Sequence, residues 1–295
     1  MGILLTPLVY LLSILPFWML YGFSNFVCFL MYRVFGYRKE IVLTNLRNSF
    51  PEKSEAEIQK ICKGYFQFMC DLFLESFKTL TISVETMQKR MVLSPQAKEI
   101  FDHYNDKGES VMMVLGHYGN WEWGGNCFSL NCKQQLYVIY HPLGNQFFDD
   151  LMFKMRSRFG TKLITMKNTF KEMLGGEMGL NVAAFIADQT PSNDNAYWTT
   201  FLNQETPIFW GTEILSRKLK RPIVFVNIDR IKRGYYQINA EVLVANPGET
   251  KEGEISELHT RRLEQDIIRK PELWLWSHRR WKRKRPAPTP EEVTA

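Results

Sequence analysis

The chain has 295 residues, of which 45% are hydrophobic and 23% charged; this is enough to bury a full core and excludes extensive disorder. The net charge of +6 favours an acidic partner, which could be anionic lipid, nucleic acid or an acidic protein. The five cysteines form no C-x-x-C pair, which argues against a zinc site or a disulfide framework and indicates a reducing, cytoplasmic environment.

The N-terminal segment is the most apolar part of the sequence. Residues 1–32 contain no charged side chain, and basic residues follow from Arg33 onward. About 20 apolar residues cross a bilayer as a helix, and basic flanks stay on the cytoplasmic side, so the pattern predicts a membrane anchor over residues 1–40. Pro16 leaves a kinked, re-entrant hairpin as one alternative, and a buried core helix is another.

The remaining sequence predicts one domain over residues 41–285 and a disordered tail over residues 286–295. The capping-box pattern Ser54-x-x-Glu57 and helical spacing of apolar residues predict a helix from about Glu55 to Leu80. Short apolar runs then alternate with helical patterns, which is typical of an α/β fold. The predicted strands cover 111–115, 136–140, 163–166, 182–187, 223–228 and 235–244, the last of them antiparallel and near an edge. The predicted helices cover 145–159, 169–178, 212–220 and 255–270.

The run GHYGNWEWGG, from Gly116 to Gly125, follows the first of these strands. Its glycines permit a loop that places His117 just before a helix and Glu122 in the first turns of that helix. The carboxylate could then hold one imidazole nitrogen while the other accepts a proton from a substrate hydroxyl. We therefore predict that His117 is a general base oriented by Glu122. A hydrogen-bonded histidine at a strand end, with no catalytic function, is the alternative.

Several blocks of the sequence resemble the late acyltransferases of lipid A biosynthesis, the lauroyl and myristoyl transferases. GHYGNWE, from Gly116 to Glu122, is similar to their H-x4-[D/E] motif, and PELWLWSHRRWK, from Pro271 to Lys282, to their closing signature. Further similar blocks, in chain order, are NLRNSFP after the apolar segment, Ala187–Gln189, Phe201–Asn203 and Arg221–Val224. The resemblance covers nearly the whole chain. It implies the glycerolipid-acyltransferase type of α/β fold, a mixed, mostly parallel sheet flanked by helices, with an N-terminal membrane helix.

The resemblance also implies an activity. A fatty acyl group would pass from a thioester, on acyl carrier protein or on coenzyme A, to a hydroxyl of a lipid A precursor or a related glycolipid. The hydroxyl would attack directly, with no acyl-enzyme, metal or cofactor, at the cytoplasmic side of the bacterial inner membrane. Asp188, Gln189 and Arg156 match polar positions of the family and are predicted to bind substrate. The alternatives are a structural turn at a strand end for Asp188 and a solvated helix face for Arg156.

Three further residues are predicted to contact substrate. Asn120, inside the first motif, would either donate to a developing oxyanion or brace the loop. Arg279 and Arg280 belong to the closing signature, in a run with six Lys or Arg in eight residues, and would contact lipid phosphates or the acidic acyl carrier protein. Nucleic acid is not an expected partner, because no nucleic-acid-binding motif accompanies this run.

One position departs from the family pattern. The chain reads YHPLGN from Tyr140 to Asn145, where the family usually reads Y-R-P-x-x-N. A neutral imidazole cannot replace a bidentate guanidinium on a phosphate, so His141 leaves the acceptor open, with another bacterial lipid such as an aminolipid as the alternative. An inactive lipid-binding homologue and a membrane-associated hydrolase that uses the same dyad on water are the other functions considered.

Overall fold

The computed structural model describes residues 2–176, 178–191 and 196–286; all but the first residue of the predicted disordered tail therefore lies outside the described residues. The helices of the described residues are α1 (Gly2–Ile14), α2 (Phe17–Phe29), α3 (Lys39–Ser49), α4 (Glu55–Lys78), α5 (Val84–Arg90), α6 (Pro95–Asp106), α7 (Trp121–Asn131), α8 (Gln146–Ser157), α9 (Thr169–Leu174), α10 (Gly211–Leu219) and α11 (Glu254–Arg269). The strands are β1 (Met91–Leu93), β2 (Val111–Leu115), β3 (Gln135–Tyr140), β4 (Lys162–Thr165), β5 (Asn181–Ile186), β6 (Tyr197–Phe201), β7 (Gln204–Ile208), β8 (Ile223–Lys232) and β9 (Tyr235–Val244).

Seven strands form one sheet in the order β1-β9-β8-β2-β5-β3-β4. All neighbouring strands run parallel except the β8–β9 pair. The central strand β2 is buried along its whole length, as expected for a parallel strand covered by helices on both faces. Leu115 at the end of β2 pairs with Ile186 at the end of β5, so the loops that follow these two strands meet at one edge of the sheet.

The predicted α/β fold with a mostly parallel sheet is confirmed. All six predicted strands are present, and β9 is antiparallel to β8 with only β1 outside it. The capping box is also present: Ser54 Oγ accepts from the Glu57 backbone N–H, and the Glu57 carboxylate accepts from the Ser54 N–H at 2.9 Å. Helices α3, α5 and α6 were not predicted, and neither were two features of the strands. One is the short edge strand β1; the other is the separate antiparallel hairpin of β6 and β7.

The predicted N-terminal membrane helix in residues 1–40 is not supported. Helix α1 ends at Ile14 and α2 begins at Phe17, because Pro16 has no backbone N–H to donate and disfavours a helical conformation at the residue before it. Each helix has 13 residues, and α2 continues directly as a π-helix over Leu30–Phe35. Within the described ranges, no helix is both long and apolar enough to span a membrane.

The two N-terminal helices pack against α4. The Lys78 ammonium of α4 donates to the backbone carbonyls of Ser13 and Leu15, at 2.7 and 2.8 Å, and so satisfies acceptors where the chain leaves α1. In α2, the Ser24 hydroxyl donates to the buried Asp71 carboxylate of α4 at 2.6 Å. The N-terminal segment is therefore part of the folded domain, fixed by polar contacts as well as by apolar packing.

Candidate active site

The loop between β2 and α7 carries His117 in a fixed backbone conformation. Gly119 has a φ of +64°, and a Cβ atom there would lie 1.9 Å from the carbonyl oxygen of Ile228, so only glycine fits. The Gly119 N–H donates to the carbonyl of Leu273 at 3.0 Å, which attaches the loop to the C-terminal segment. Asn120 is fully buried, and its side-chain oxygen accepts from the Trp123 N–H at 2.9 Å as the N-cap of α7. Of the two roles considered for Asn120, this geometry is that of a brace.

The carboxylate that contacts the His117 ring is Asp188, which follows β5. His117 Nδ1 lies 2.6 Å from Asp188 Oδ1, and the His117 backbone N–H donates to Oδ2 at 2.7 Å. The indole N–H of Trp274 donates to the same Oδ2 at 2.7 Å. An aspartate with these donors is ionised, so the ring contact is an Nδ1–H···Oδ1 hydrogen bond, and Nε2 is left as the proton acceptor.

Asp188 keeps its charge although it is buried. Burial by itself raises the pKa of a carboxyl group, but the His117 ring and the N–H donors of His117 and Trp274 outweigh it and hold the pKa of Asp188 below its usual value. Gly116 leaves room for this carboxylate, since a Cβ there would stand 3.1 Å from Oδ2. An ionised aspartate both orients the imidazole and stabilises an imidazolium.

Glu122, the predicted partner of His117, is bound to Arg156 instead. Arg156 Nε and Nη2 donate to the two carboxylate oxygens of Glu122 at 2.9 and 2.6 Å, a bidentate pair between α8 and α7. Burial disfavours the charge of Glu122, but Arg156 outweighs burial and lowers the pKa of Glu122. The sequence prediction is thus corrected on this contact: Asp188, not Glu122, holds Nδ1. The predicted substrate-binding residue Arg156 is likewise engaged by a carboxylate.

Gln189 lies on the free side of the His117 ring. Its amide nitrogen is 3.3 Å from His117 Nε2, which is at the long end of the distances for a hydrogen bond from an amide donor. The indole ring of Trp121 packs edge-on against the imidazole, with the ring centroids 5.1 Å apart. The Gln189 amide therefore stands at the nitrogen that is left to accept a proton, and Trp121 packs against the ring.

A cavity of about 440 Å³ extends from Nε2 into the space between α7 and the sheet. His117, Glu122, Arg156 and Gln189 form its polar end. Its remaining wall is mostly apolar and includes Met113, Phe128, Leu136, Val138, Ala184, Ile186 and Val226. The glycine pair Gly124–Gly125 of α7 lines the cavity, so backbone stands where side chains would otherwise fill the space. The arrangement is a proton acceptor at the polar end of a mostly apolar cavity.

The two arginines of the closing signature lie in different environments. Arg279 is exposed, as a residue that contacts an external partner would be. Arg280 is fully buried, and its Nη2 donates to the carbonyl of Pro207 in β7 at 2.6 Å. The prediction that Arg280 contacts lipid phosphate is therefore wrong, because the side chain is covered by the unpredicted β6–β7 hairpin. Burial lowers its pKa to about 10, and the guanidinium remains charged at neutral pH.

His141 lines the same cavity as His117 but is exposed, and its Nδ1 lies 2.8 Å from the carbonyl of Pro142.

Sequence reasoning did not assign a role to Trp274, although the residue lies in the PELWLWSHRRWK block. Its indole contact with Asp188 could not be found from the sequence, because 86 positions separate the two residues.

Comparison with known proteins gives a consistent result along nearly the whole chain. The family described as bacterial lipid A biosynthesis acyltransferase matches residues 3–283. The lipid A biosynthesis palmitoleoyltransferase of Escherichia coli (strain K12) is 25% identical over 257 residues, which cover 83% of this chain and 79% of that protein. The lipid A biosynthesis acyltransferase of Shigella flexneri matches with the same identity and coverage.

Proposed function

The chain belongs to the bacterial lipid A biosynthesis acyltransferase family, and from this premise we propose that it moves a fatty acyl chain from a thioester to a hydroxyl of a lipid A precursor. The observation on which the proposal depends is the placement of His117. Its Nδ1 is held by Asp188, and its Nε2 faces the mouth of an apolar cavity. The donor in this proposal is an acyl chain carried by acyl carrier protein, with acyl-coenzyme A as the second candidate.

The proposed reaction is a direct transfer. The acyl chain lies in the cavity, with its thioester carbonyl near His117, and the acceptor hydroxyl takes the place of the Gln189 amide at Nε2. As the hydroxyl oxygen bonds to the carbonyl carbon, its proton passes to Nε2; the imidazolium returns this proton to the departing thiolate. Asp188 stabilises the imidazolium in between. None of the five cysteines lines the cavity, so the chain offers no thiol for an acyl-enzyme.

In this mechanism Glu122 acts through Arg156 rather than through His117. The bidentate pair fixes α8 against the first turn of α7 and forms one wall at the polar end of the cavity. It also leaves the guanidinium with a fixed geometry beside the reacting carbonyl. The role first predicted for Glu122, orientation of the base, thus passes to Asp188 in the proposal.

We further propose that the two N-terminal helices, α1 and α2, lie in the membrane interface. Their outer surface exposes large apolar side chains, among them Ile14, Trp18 and Phe26, and basic residues follow from Arg33. Exposed apolar side chains on helices too short to cross a bilayer can be buried at the boundary of headgroups and acyl chains. Replacing Phe26 by Asp should weaken sedimentation with phospholipid vesicles by about tenfold or more, because burying a phenyl ring contributes about 2 kcal/mol. Equal binding of this variant would contradict the interfacial placement.

Purified enzyme tests the proposed reaction. Incubation with acyl carrier protein thioester and an underacylated lipid A precursor should give a product that is heavier by one acyl chain in mass spectrometry. His117→Ala should abolish the product, whereas the matched exchange of the exposed His103 on α6 should not change the rate. A deletion strain with normal lipid A that lacks an acyl chain on another lipid, such as an aminolipid, would overturn the proposed acceptor.

A further inference from the structure

Glu75, in the middle of α4, is a fully buried carboxylate for which the proposed mechanism has no use. Among the residues described, no cation pairs with it; its partners are three neutral donors. The Tyr21 hydroxyl of α2 donates to Oε1 at 2.7 Å, and the Asn120 amide and the Tyr236 hydroxyl of β9 donate to Oε2 at 2.7 and 2.8 Å. Burial raises the pKa of Glu75 to about 7, and burying its charged form without a countercharge is costly, so a glutamate at this position calls for a reason beyond packing.

The position of Glu75 supplies that reason. Asn120 uses its amide N–H to bind Glu75 and its amide oxygen to cap α7 at the Trp123 N–H, so one side chain joins α4 to the start of α7. The backbone carbonyl of Glu75 accepts from the Trp123 indole at 2.8 Å, which is a second attachment to the same turn. The turn so held separates His117 from Glu122 and defines the direction in which the His117 ring and the Glu122 carboxylate leave the backbone.

We propose that Glu75 is a positioning residue for the acyl transfer: through Asn120 it fixes the turn that carries His117, and through Tyr21 it connects this turn to helix α2. The inference rests on the proposed function for its kinetic consequence. Glu75 does not line the acyl cavity, so its loss should disturb the placement of the base and not the binding of the acyl chain.

The test compares Glu75→Ala with Glu213→Ala. Glu213 of α10 is equally buried and also accepts three hydrogen bonds, but its donors are the Gly253 N–H and the N–H and hydroxyl of Ser256 at the start of α11, away from the His117 loop. Glu75→Ala should lower kcat at least tenfold and change the KM for the thioester less than threefold. Glu213→Ala should destabilise the fold and leave the kcat of the folded enzyme unchanged. A kcat that is equal in wild type and Glu75→Ala would overturn the proposal.

Two further variants separate positioning from simple stabilisation. Asn120→Ala removes the hydrogen bond between Asn120 and Glu75 but keeps the Glu75 side chain. The double variant of Glu75→Ala and Asn120→Ala should be no slower than the slower single variant, because both changes act through this one contact. Independent, multiplying losses would contradict the proposed route. Glu75→Gln should restore most of kcat, because Oε2, which accepts two donors, remains an oxygen, and the new amide nitrogen can donate to the Tyr21 hydroxyl oxygen.

Amide hydrogen exchange provides a readout that needs no substrate. The exchange of the Trp123 N–H should be at least tenfold faster in Glu75→Ala than in wild type, and unchanged in Glu213→Ala. Unchanged exchange in Glu75→Ala would overturn the positioning role even if the enzyme acts on a different lipid. Failure of wild-type enzyme to acylate a lipid A precursor, together with the expected faster exchange, would overturn only the proposed function.

Discussion

Replacing Asp188 by Asn should remove catalysis while leaving the fold intact. Oδ2 of Asp188 accepts two N–H donors, from the His117 backbone and from Trp274, so in the variant the amide oxygen must occupy that side. The amide nitrogen then faces His117 Nδ1 and donates to it. The ring is thereby forced into the tautomer that carries its proton on Nε2, and Nε2 can no longer accept the proton of the acceptor hydroxyl.

The size of the effect follows from the tautomer. In a His–Asp arrangement of this kind, loss of the correct tautomer lowers kcat by about 10⁴-fold, which corresponds to about 5 kcal/mol of transition-state stabilisation. Because the two N–H···O bonds to Oδ2 are retained, the free energy of unfolding should change by no more than about 1 kcal/mol. The KM for the thioester should also stay close to its wild-type value, since Asp188 does not line the cavity.

The assay measures release of the free thiol of the acyl carrier with a chromogenic disulfide reagent, next to urea unfolding of the same samples. Glu122→Gln is the matched control. It also neutralises a buried carboxylate, and the H-x4-E spacing of the sequence predicts this carboxylate as the partner of His117. It leaves the Arg156 charge without its countercharge, so it should lower the free energy of unfolding by roughly a few kcal/mol and kcat much less than Asp188→Asn does. If Asp188→Asn keeps more than a tenth of wild-type kcat, the role of Asp188 is refuted.

Three other predictions concern chain length, acid stability and the acceptor. Gly125→Leu should shift the preference to shorter acyl chains, because a side chain built there points to Val138 and Leu136 of the cavity wall. Each methylene of the acyl chain that no longer fits costs about 0.8 kcal/mol of binding free energy. An unchanged chain-length profile in competition assays would contradict this prediction. Burial lowers the pKa of His259 to about 4, below its usual value near 6.5, so the folded state binds fewer protons than the unfolded state. Stability from this residue is therefore complete above pH 6.5 and falls by up to about 3 kcal/mol as the pH drops to 4. Urea unfolding of His259→Leu should show a correspondingly weaker loss over this range, and a parallel pH curve would argue against a buried neutral histidine. His141→Arg should lower the KM for a phosphorylated acceptor by about tenfold, because the guanidinium would form a charge-assisted hydrogen bond to the phosphate. The KM for an unphosphorylated acceptor should stay unchanged. Equal effects on both acceptors would exclude phosphate recognition at this position.

Local patterns in the sequence were sufficient for most of the fold. Helix α4 and strands β2 and β9 follow from periodicity and capping, which depend on neighbouring residues only. The contacts of the site depend on residues far apart in the chain. His117 and Asp188 are 71 positions apart and meet because β2 and β5 are parallel neighbours in register, whereas the spacing of five to Glu122 suggests a local partner.

The burial of Arg280 also could not be predicted from neighbouring residues in the sequence. A run with six basic residues in eight is normally a solvated surface, and the sequence offers no reason to remove one member from it. Arg280 is buried because the β6–β7 hairpin, whose strands have no clear alternation of apolar residues, covers it and supplies the Pro207 carbonyl. Because the β6–β7 hairpin was not predicted, the role of Arg280, 73 positions from Pro207, was predicted wrongly as well.

The charges at the mouth of the cavity limit how the acceptor is recognised. Among the residues that line it, Arg156 is the one permanent cation, and Glu122 occupies it in a bidentate pair. A phosphate that entered here would therefore compete with a bound carboxylate, which it could do only by separating α7 from α8. His141, where the family usually has arginine, adds no permanent charge. Under the proposed function, the cavity therefore binds the acyl chain, and recognition of an anionic acceptor depends on groups outside the cavity, such as the exposed Arg279.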